Sequence, residues 1–86
     1  MTCNPCKCGA GAKVWNDYCT SKGHGYIVFC MANDDHAGWH AKTRNGAISL
    51  WNKINASSLS IEEITMARMI PLTVAEAIRR KEAEHA

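Results

Sequence analysis

Three cysteines lie within the first eight residues of the chain, and this cluster constrains the fold more than any other feature. It comprises Cys3, Cys6 and Cys8, and Gly9 follows directly. Thiols this close together at a turn are typical of a metal site, and a structural zinc ion normally takes four sulfur or imidazole ligands. A glycine after a ligating cysteine lets backbone N–H groups point toward the sulfur. The cluster therefore predicts a zinc site whose other ligands lie further along the chain.

Cys30 and His36 are the best candidates for those other ligands. Cys30 ends the aromatic and β-branched run that begins at Tyr26, and a polar turn separates it from His36. Two ligand pairs joined by strand-forming sequence describe a zinc ribbon. The predicted ligands of a structural zinc ion are Cys6, Cys8, Cys30 and His36.

Alternative ligand sets fit the same residues. Cys3 lies close enough in sequence to replace Cys8 or Cys6, and Cys19 with His24 offers a second pair in place of Cys30 and His36. The cysteines could also be small buried hydrophobes with no metal. Spacing alone leaves these alternatives open.

The composition supports a metal-stabilised domain. Only fourteen of the 86 residues are Leu, Ile, Val or Phe, and the net charge is just +2. A core this small stabilises a domain weakly, and a metal ion commonly compensates. The odd number of cysteines and the absence of an apolar signal segment predict a soluble protein of the reducing cytoplasm. The longest apolar run is too short to cross a bilayer.

The N-terminal half predicts a β-hairpin and a helix. Weak alternation over 12–17 and the run 26–30 indicate two strands joined by a glycine-containing loop. Residues 37–42 alternate loosely and indicate a third strand, with Trp39 covering one face of the site. Thr43 is a suitable cap for an amphipathic helix that ends near Ile54, although Gly46 in its first turn costs about 1 kcal/mol relative to alanine.

The C-terminal part predicts two further helices, over 61–69 and 74–84. Ser60 with Glu63 and Thr73 with Glu76 both fit the capping-box pattern. The expected fold is small α+β: a zinc-ribbon domain over 1–55 followed by a helical extension over 56–86. The extension could fold back on the ribbon, pair with a second copy or dock on another protein. Its expected apolar positions are Ile61, Ile64, Ala67, Met69, Ile70, Leu72, Val74, Ala75 and Ile78.

These motifs together resemble the Lar-type restriction-alleviation zinc ribbons of phages and prophages. The matching residues span roughly 5–53, and they are Pro5-Cys6, Cys8-Gly9, the strand ending at Cys30, Thr43, and Ala47-Ile48 with Trp51-Asn52. Two departures stand out. The first cysteine pair is shortened to Cys6-x-Cys8, and the second lacks its final cysteine, for which His36 is the replacement that suits zinc best.

The resemblance implies a non-catalytic zinc-binding protein that works in the host cytoplasm. It would modulate a host type I restriction–modification system through protein–protein contact, and a homodimer through the C-terminal helices is compatible with it. The helix residues Trp51 and Asn52 would act as a tryptophan lid on the ribbon and an amide that ties backbone groups near the helix end.

Other functions rest on fewer residues. Cys6-Lys-Cys8-Gly9 is similar to the C-terminal zinc motif of the SecA translocation ATPase, with Cys19 and His24 as its remaining ligands. A nucleic-acid-binding zinc ribbon with a transcription-regulatory role is the alternative function, in which exposed aromatic and basic side chains contact bases and phosphates. A metal-dependent nuclease is the third. The residues of the nucleic-acid-binding alternative are Lys13, Trp15, Trp39, Lys42 and Arg44. Those of the nuclease are Asp34, Asp35, His36 and His40, with Asn45 or Asn52.

Overall fold

A computed structural model describes residues 2–17 and 25–84 of the chain. Within them, two strands are followed by three helices. The strands are β1 (Ala12–Asp17) and β2 (Gly25–Cys30), and the helices are α1 (Arg44–Ala56), α2 (Ile61–Met69) and α3 (Val74–Glu84). The small α+β fold predicted from the sequence is confirmed. The predicted hairpin loop, with Cys19 and His24, lies outside the described residues.

β1 and β2 form an antiparallel hairpin with a continuous register from Ala12↔Cys30 to Asp17↔Gly25. Because side chains alternate across a strand, the hairpin has two faces. One face carries Val14, Val28 and Cys30 toward α1. The other, called here the outer hairpin face, carries Lys13, Trp15, Ile27 and Phe29.

The predicted third strand is only partly formed. Residues 37–41 run beside β2, and the backbone N–H groups of Tyr26 and Gly38 donate to Ala41 and Val28. However, the two isolated bridges, Tyr26↔Ala41 and Phe29↔Ala37, are three residues apart on β2 and four apart on the other segment. This extra residue breaks the alternation of paired groups, so a regular ladder does not form.

α1 lies between two clusters of buried side chains. Thr43 caps its first turn, as predicted, because its Oγ1 accepts from the Gly46 N–H at 3.0 Å. The first cluster, the ribbon core, joins the hairpin to α1 and contains Cys6, Val28, Cys30, Ala47, Ile48 and Trp51. The second, the helical core, joins the end of α1 to the C-terminal helices and contains Ile54, Leu59, Ile64, Ala67, Val74 and Ala77.

The C-terminal helices fold back on α1, with two corrections to the predicted apolar positions. Met69 and Ile70 are exposed rather than packed, and Ala77 instead of Ala75 is buried. Met69 is two residues beyond the buried Ala67 and therefore lies roughly 200° further around the helix, on the other side. Ile70 is the C-terminal cap of α2.

No helix in the described part has the length and apolar character that crossing a membrane requires.

Candidate metal centre

The first part of the site is a tight turn that carries Cys6 and Cys8. The Cys6 N–H donates to the Ala10 carbonyl at 2.9 Å, and the Gly9 N–H donates to the Cys6 carbonyl at 2.8 Å. Gly9 has a φ of 93°, a left-handed conformation that favours glycine. The turn also directs the Cys8 N–H at the sulfur of Cys6. The glycine after Cys8 therefore closes the turn that presents both thiols.

The second part of the site is the turn that follows β2. The Cys30 N–H donates to the His36 carbonyl at 2.8 Å, which brings the two ends of the turn together. Asn33 stabilises the middle, because its Oδ1 accepts from the Asp35 N–H at 3.0 Å and its carbonyl accepts from the His36 N–H at 3.0 Å. Asp34 and Asp35 are exposed on this turn. His36, rather than either aspartate, reaches the thiols.

The two turns bring four side chains to one point: Cys6, Cys8, Cys30 and His36. Their ligand atoms all lie within 4.8 Å of one another. Cys8 Sγ is 3.5 Å from Cys30 Sγ, and Cys6 Sγ is 3.6 Å from His36 Nδ1. A tetrahedral zinc ion would separate two sulfurs by roughly 3.8 Å and a sulfur from a nitrogen by roughly 3.6 Å. The cluster thus has the donor atoms and spacing of a site for a structural metal ion.

Two sulfurs of the cluster have different proton affinities. Burial raises the pKa of Cys6 to about 11. Burial also acts on Cys30, but the N–H groups of Ala32 and Asn33 and the neighbouring Cys8 thiol outweigh it and lower the pKa of Cys30 to about 7. N–H groups directed at a sulfur favour the thiolate, which is the form that binds metal. Cys30 is therefore the more readily ionised of these two.

Cys3 is not a member of the cluster within the described residues. It is half-buried against the ribbon core, where burial raises its pKa.

Trp39 does not cover the site as predicted. It packs against the helical core, and its indole N–H donates to the Leu72 carbonyl at 2.7 Å. The tryptophan beside the thiols is Trp51, which is 2% exposed and packs with Cys6 and Cys30.

α1 fixes the cysteine turn through side chains that are not ligands. The Trp51 indole donates to the Asn4 carbonyl at 2.8 Å, and the Asn52 Oδ1 accepts from the Asn4 N–H at 2.7 Å. Asn55 Oδ1 accepts from the N–H of Lys7, between the two cysteines, at 3.3 Å. Asn55 lies four residues after Trp51 and three after Asn52, so it is a neighbour of both on the same side of the helix. That face holds the turn against the ribbon core.

Asn4 and Asn55 were not predicted from the sequence. A signal for Asn55 was present, because asparagine is a weak helix former that commonly bonds backbone groups instead. Its position three residues after Asn52 could have indicated a shared face. α2 adds cover from another side: Ile61, Ile64 and Thr65 line, with Cys6 and His36, a cavity of only about 10 Å³.

Comparisons with protein-family models, curated proteins and solved structures found no match to this chain.

Proposed function

We propose that the cluster holds one structural zinc ion and that the protein is a zinc-stabilised interaction module. The observation that carries the proposal is the convergence of three thiols and one imidazole from two turns. Four such donors fill a tetrahedral zinc ion and leave no position for a substrate or water, so the zinc has no catalytic role in this proposal. The ion would join the cysteine turn to the end of β2.

We further propose that the module belongs with the restriction-alleviation zinc ribbons and acts in the host cytoplasm on a type I restriction–modification system. The structural roles of the residues that carry the family resemblance support this proposal. Thr43 caps α1, Trp51 packs on the cluster, and Asn52 binds the segment before Cys6. Trp51 and Asn52 thus connect α1 to the cysteine turn that carries two of the proposed ligands.

The outer hairpin face is the surface proposed to contact the partner. Trp15 is 52% exposed there and meets Phe29 edge to face, with ring centroids 6.4 Å apart. Arg68 of α2 borders the same concave surface, which encloses about 470 Å³. Burial lowers the pKa of Arg68, and no hydrogen bond or ion pair of this side chain occurs in the described part. Such a guanidinium favours an acidic group on the partner.

The test combines a plating assay with co-purification. Expression of the wild-type chain in a host with a type I system should raise the plating efficiency of unmodified phage, and the chain should co-purify with restriction subunits. Trp15→Ala and Arg68→Ala should reduce both, whereas Lys53→Ala, which removes an exposed cation from α1, should not. A wild-type chain that gives neither relief nor co-purification would contradict this function while leaving the zinc site untouched.

A nucleic-acid-binding ribbon is the second candidate, and one observation favours it. Exposed Trp15 shares the outer hairpin face with Lys13, so a base could stack beside a phosphate contact. Trp39, the other predicted stacking residue, is engaged by Leu72. Fluorescence anisotropy with labelled single-stranded and duplex DNA at low and high salt decides between the candidates. Dissociation constants weaker than about 10⁻⁴ M at physiological salt would exclude nucleic-acid binding.

A further inference from the structure

α2 has an apolar surface that the described fold does not cover. Met66, Met69 and Ile70 are 55%, 74% and 50% exposed. Met66 lies three residues before Met69 and four before Ile70, so the three side chains are neighbours. They are called here the methionine patch. A contiguous exposed group of large apolar side chains on a small domain typically marks an interaction surface.

A groove between α2 and α3 continues the patch. It encloses about 260 Å³, and Met66 and Ile70 belong both to the patch and to the wall of the groove. The rest of its apolar lining consists of Leu59, Ala67, Leu72 and Ala77. Methionine side chains are flexible and adapt to irregular apolar surfaces. The patch and the groove therefore form one continuous apolar surface.

The two rims of the groove carry opposite charges. Glu62 and Glu63 come from α2, whereas Arg80 and Lys81 come from α3. Glu63 and Lys81 bind each other across the groove at 2.9 Å, which leaves Glu62 and Arg80 as the outer charges of the two rims. A partner of a single charge sign would meet like charge on one rim. A surface that also has one acidic and one basic rim can place opposite charges against each other at both rims.

We propose that a second copy of this chain covers the methionine patch and the groove. A two-fold axis parallel to the groove sets the acidic rim of each copy against the basic rim of the other, so Glu62 meets Arg80 twice. The same rotation sets the two grooves face to face, so their apolar walls, which include Met66 and Ile70, cover each other. This dimer is independent of the function proposed for the outer hairpin face, because it uses other residues.

Sedimentation equilibrium on the full zinc-loaded chain tests the proposal. The wild type should shift with concentration from 9.5 kDa to twice that mass. The double variant Met66→Lys/Met69→Lys should weaken self-association by about tenfold or more. Met31→Lys is the matched control, because Met31 is 67% exposed but lies after β2, away from the patch. Circular dichroism and thermal unfolding check that each variant folds.

Charge exchange tests the two-fold arrangement without altering the apolar patch. Glu62→Arg alone and Arg80→Glu alone each place like charges across the interface twice, so each should associate more weakly than the wild type. An equimolar mixture restores both opposite-charge pairs and should form a heterodimer. A wild type that stays monomeric, a Met66→Lys/Met69→Lys variant that dimerises normally, or a mixture that does not associate would overturn the proposal.

Discussion

Asn52 and Asn55 stand on the face of α1 nearest the cysteine turn, and their amides bind its backbone. Asn52 alone makes two hydrogen bonds, from the Asn4 N–H at 2.7 Å and to the Thr2 carbonyl at 3.0 Å. Loss of a group that positions metal ligands typically weakens metal binding by about 10- to 100-fold. The proposed zinc affinity therefore depends on residues that never touch the ion.

Asn52→Ala should weaken zinc binding by about tenfold, because the segment that carries Cys6 loses its attachment to α1. The change should also lower the free energy of unfolding by about 1 kcal/mol. Competition with a chromophoric chelator measures the affinity. Ser49→Ala, at an exposed position of the same helix, is the control. Equal affinities for the two variants would show that Asn52 does not support the site.

Cys30→Ser should abolish zinc binding, since it removes the ligand at which the two turns meet. Native mass spectrometry should find one zinc ion per wild-type chain and none in the variant. Cys3→Ser and Cys19→Ser should each retain the ion, because neither residue belongs to the proposed ligand set. Loss of zinc in Cys19→Ser with retention in Cys30→Ser would favour the SecA-like alternative instead.

The sequence identifies the ligand types better than their supports. Cysteine and histidine have few other reasons to cluster, so a zinc site could be predicted from their spacing, with Cys6, Cys8, Cys30 and His36 as the preferred ligands. Spacing could not exclude Cys3, Cys19 or His24. Gly46 is an example of a structural contact that the sequence does not predict. Propensity marks it only as a weak point of α1, but a Cβ there would lie 2.9 Å from Thr43 Oγ1, whose hydrogen bond caps the helix. Only the folded geometry reveals that contact.

At the scale of elements, the two C-terminal helices begin where their capping residues predict. Ser60 Oγ accepts from the Glu63 N–H, and the Ser60 N–H donates to the Glu63 carboxylate at 2.9 Å. Thr73 and Glu76 make the equivalent pair. Capping is local, so four residues suffice to predict it. The structure of segment 37–41 was harder to predict, because its irregular pairing depends on contacts with residues of β2 that are distant in the sequence.

Glu63 links the two helices and predicts a pH dependence. The Ser60 N–H, and then the Lys81 ammonium, lower the pKa of Glu63 from 4.5 to about 2. A carboxylate with a lowered pKa stabilises the folded chain above pH 4.5, and this contribution is lost as the pH falls toward 2. An NMR titration of the folded, zinc-loaded chain should find the Glu63 carboxyl still ionised at pH 4.5, where an ordinary glutamate is half protonated.

Lys81→Ala should raise the pKa of Glu63 toward 4.5, because the ammonium at 2.9 Å no longer stabilises the carboxylate. Glu63→Gln keeps a side chain that can accept the Ser60 N–H bond but removes the charge. Its stability relative to the wild type should therefore be lowest above pH 4.5 and should converge with it in acid. An unchanged pKa in Lys81→Ala would contradict the helix link.

On the scale of the whole molecule, α1 belongs to both cores. Ile48 is fully buried in the ribbon core, and Ile54 is fully buried in the helical core, less than two turns further along. Trp39 adds a second connection through its bond to Leu72. The predicted division into a ribbon over 1–55 and an extension over 56–86 rests on the change in amino-acid composition between these two segments. The packing of a shared helix could not be inferred from composition.

Ile48→Ala and Ile54→Ala should therefore destabilise the same cooperative unit. Each deletes a fully buried side chain and should lower the free energy of unfolding by about 2–5 kcal/mol. Urea unfolding followed by tryptophan fluorescence and by far-UV circular dichroism should give coincident transitions in both variants. If Ile54→Ala releases α2 and α3 in a separate transition and leaves the ribbon unchanged, the two parts are independent domains.

Our central claim is that a bound metal ion supplies stability that the small apolar core of this protein cannot supply. Thermal unfolding of the zinc-loaded chain, before and after incubation with a strong chelator, measures this directly. We predict a sharp transition with zinc and none after its removal, because the metal-free chain should already be unfolded. The same sharp transition at the same temperature in chelator would contradict the account.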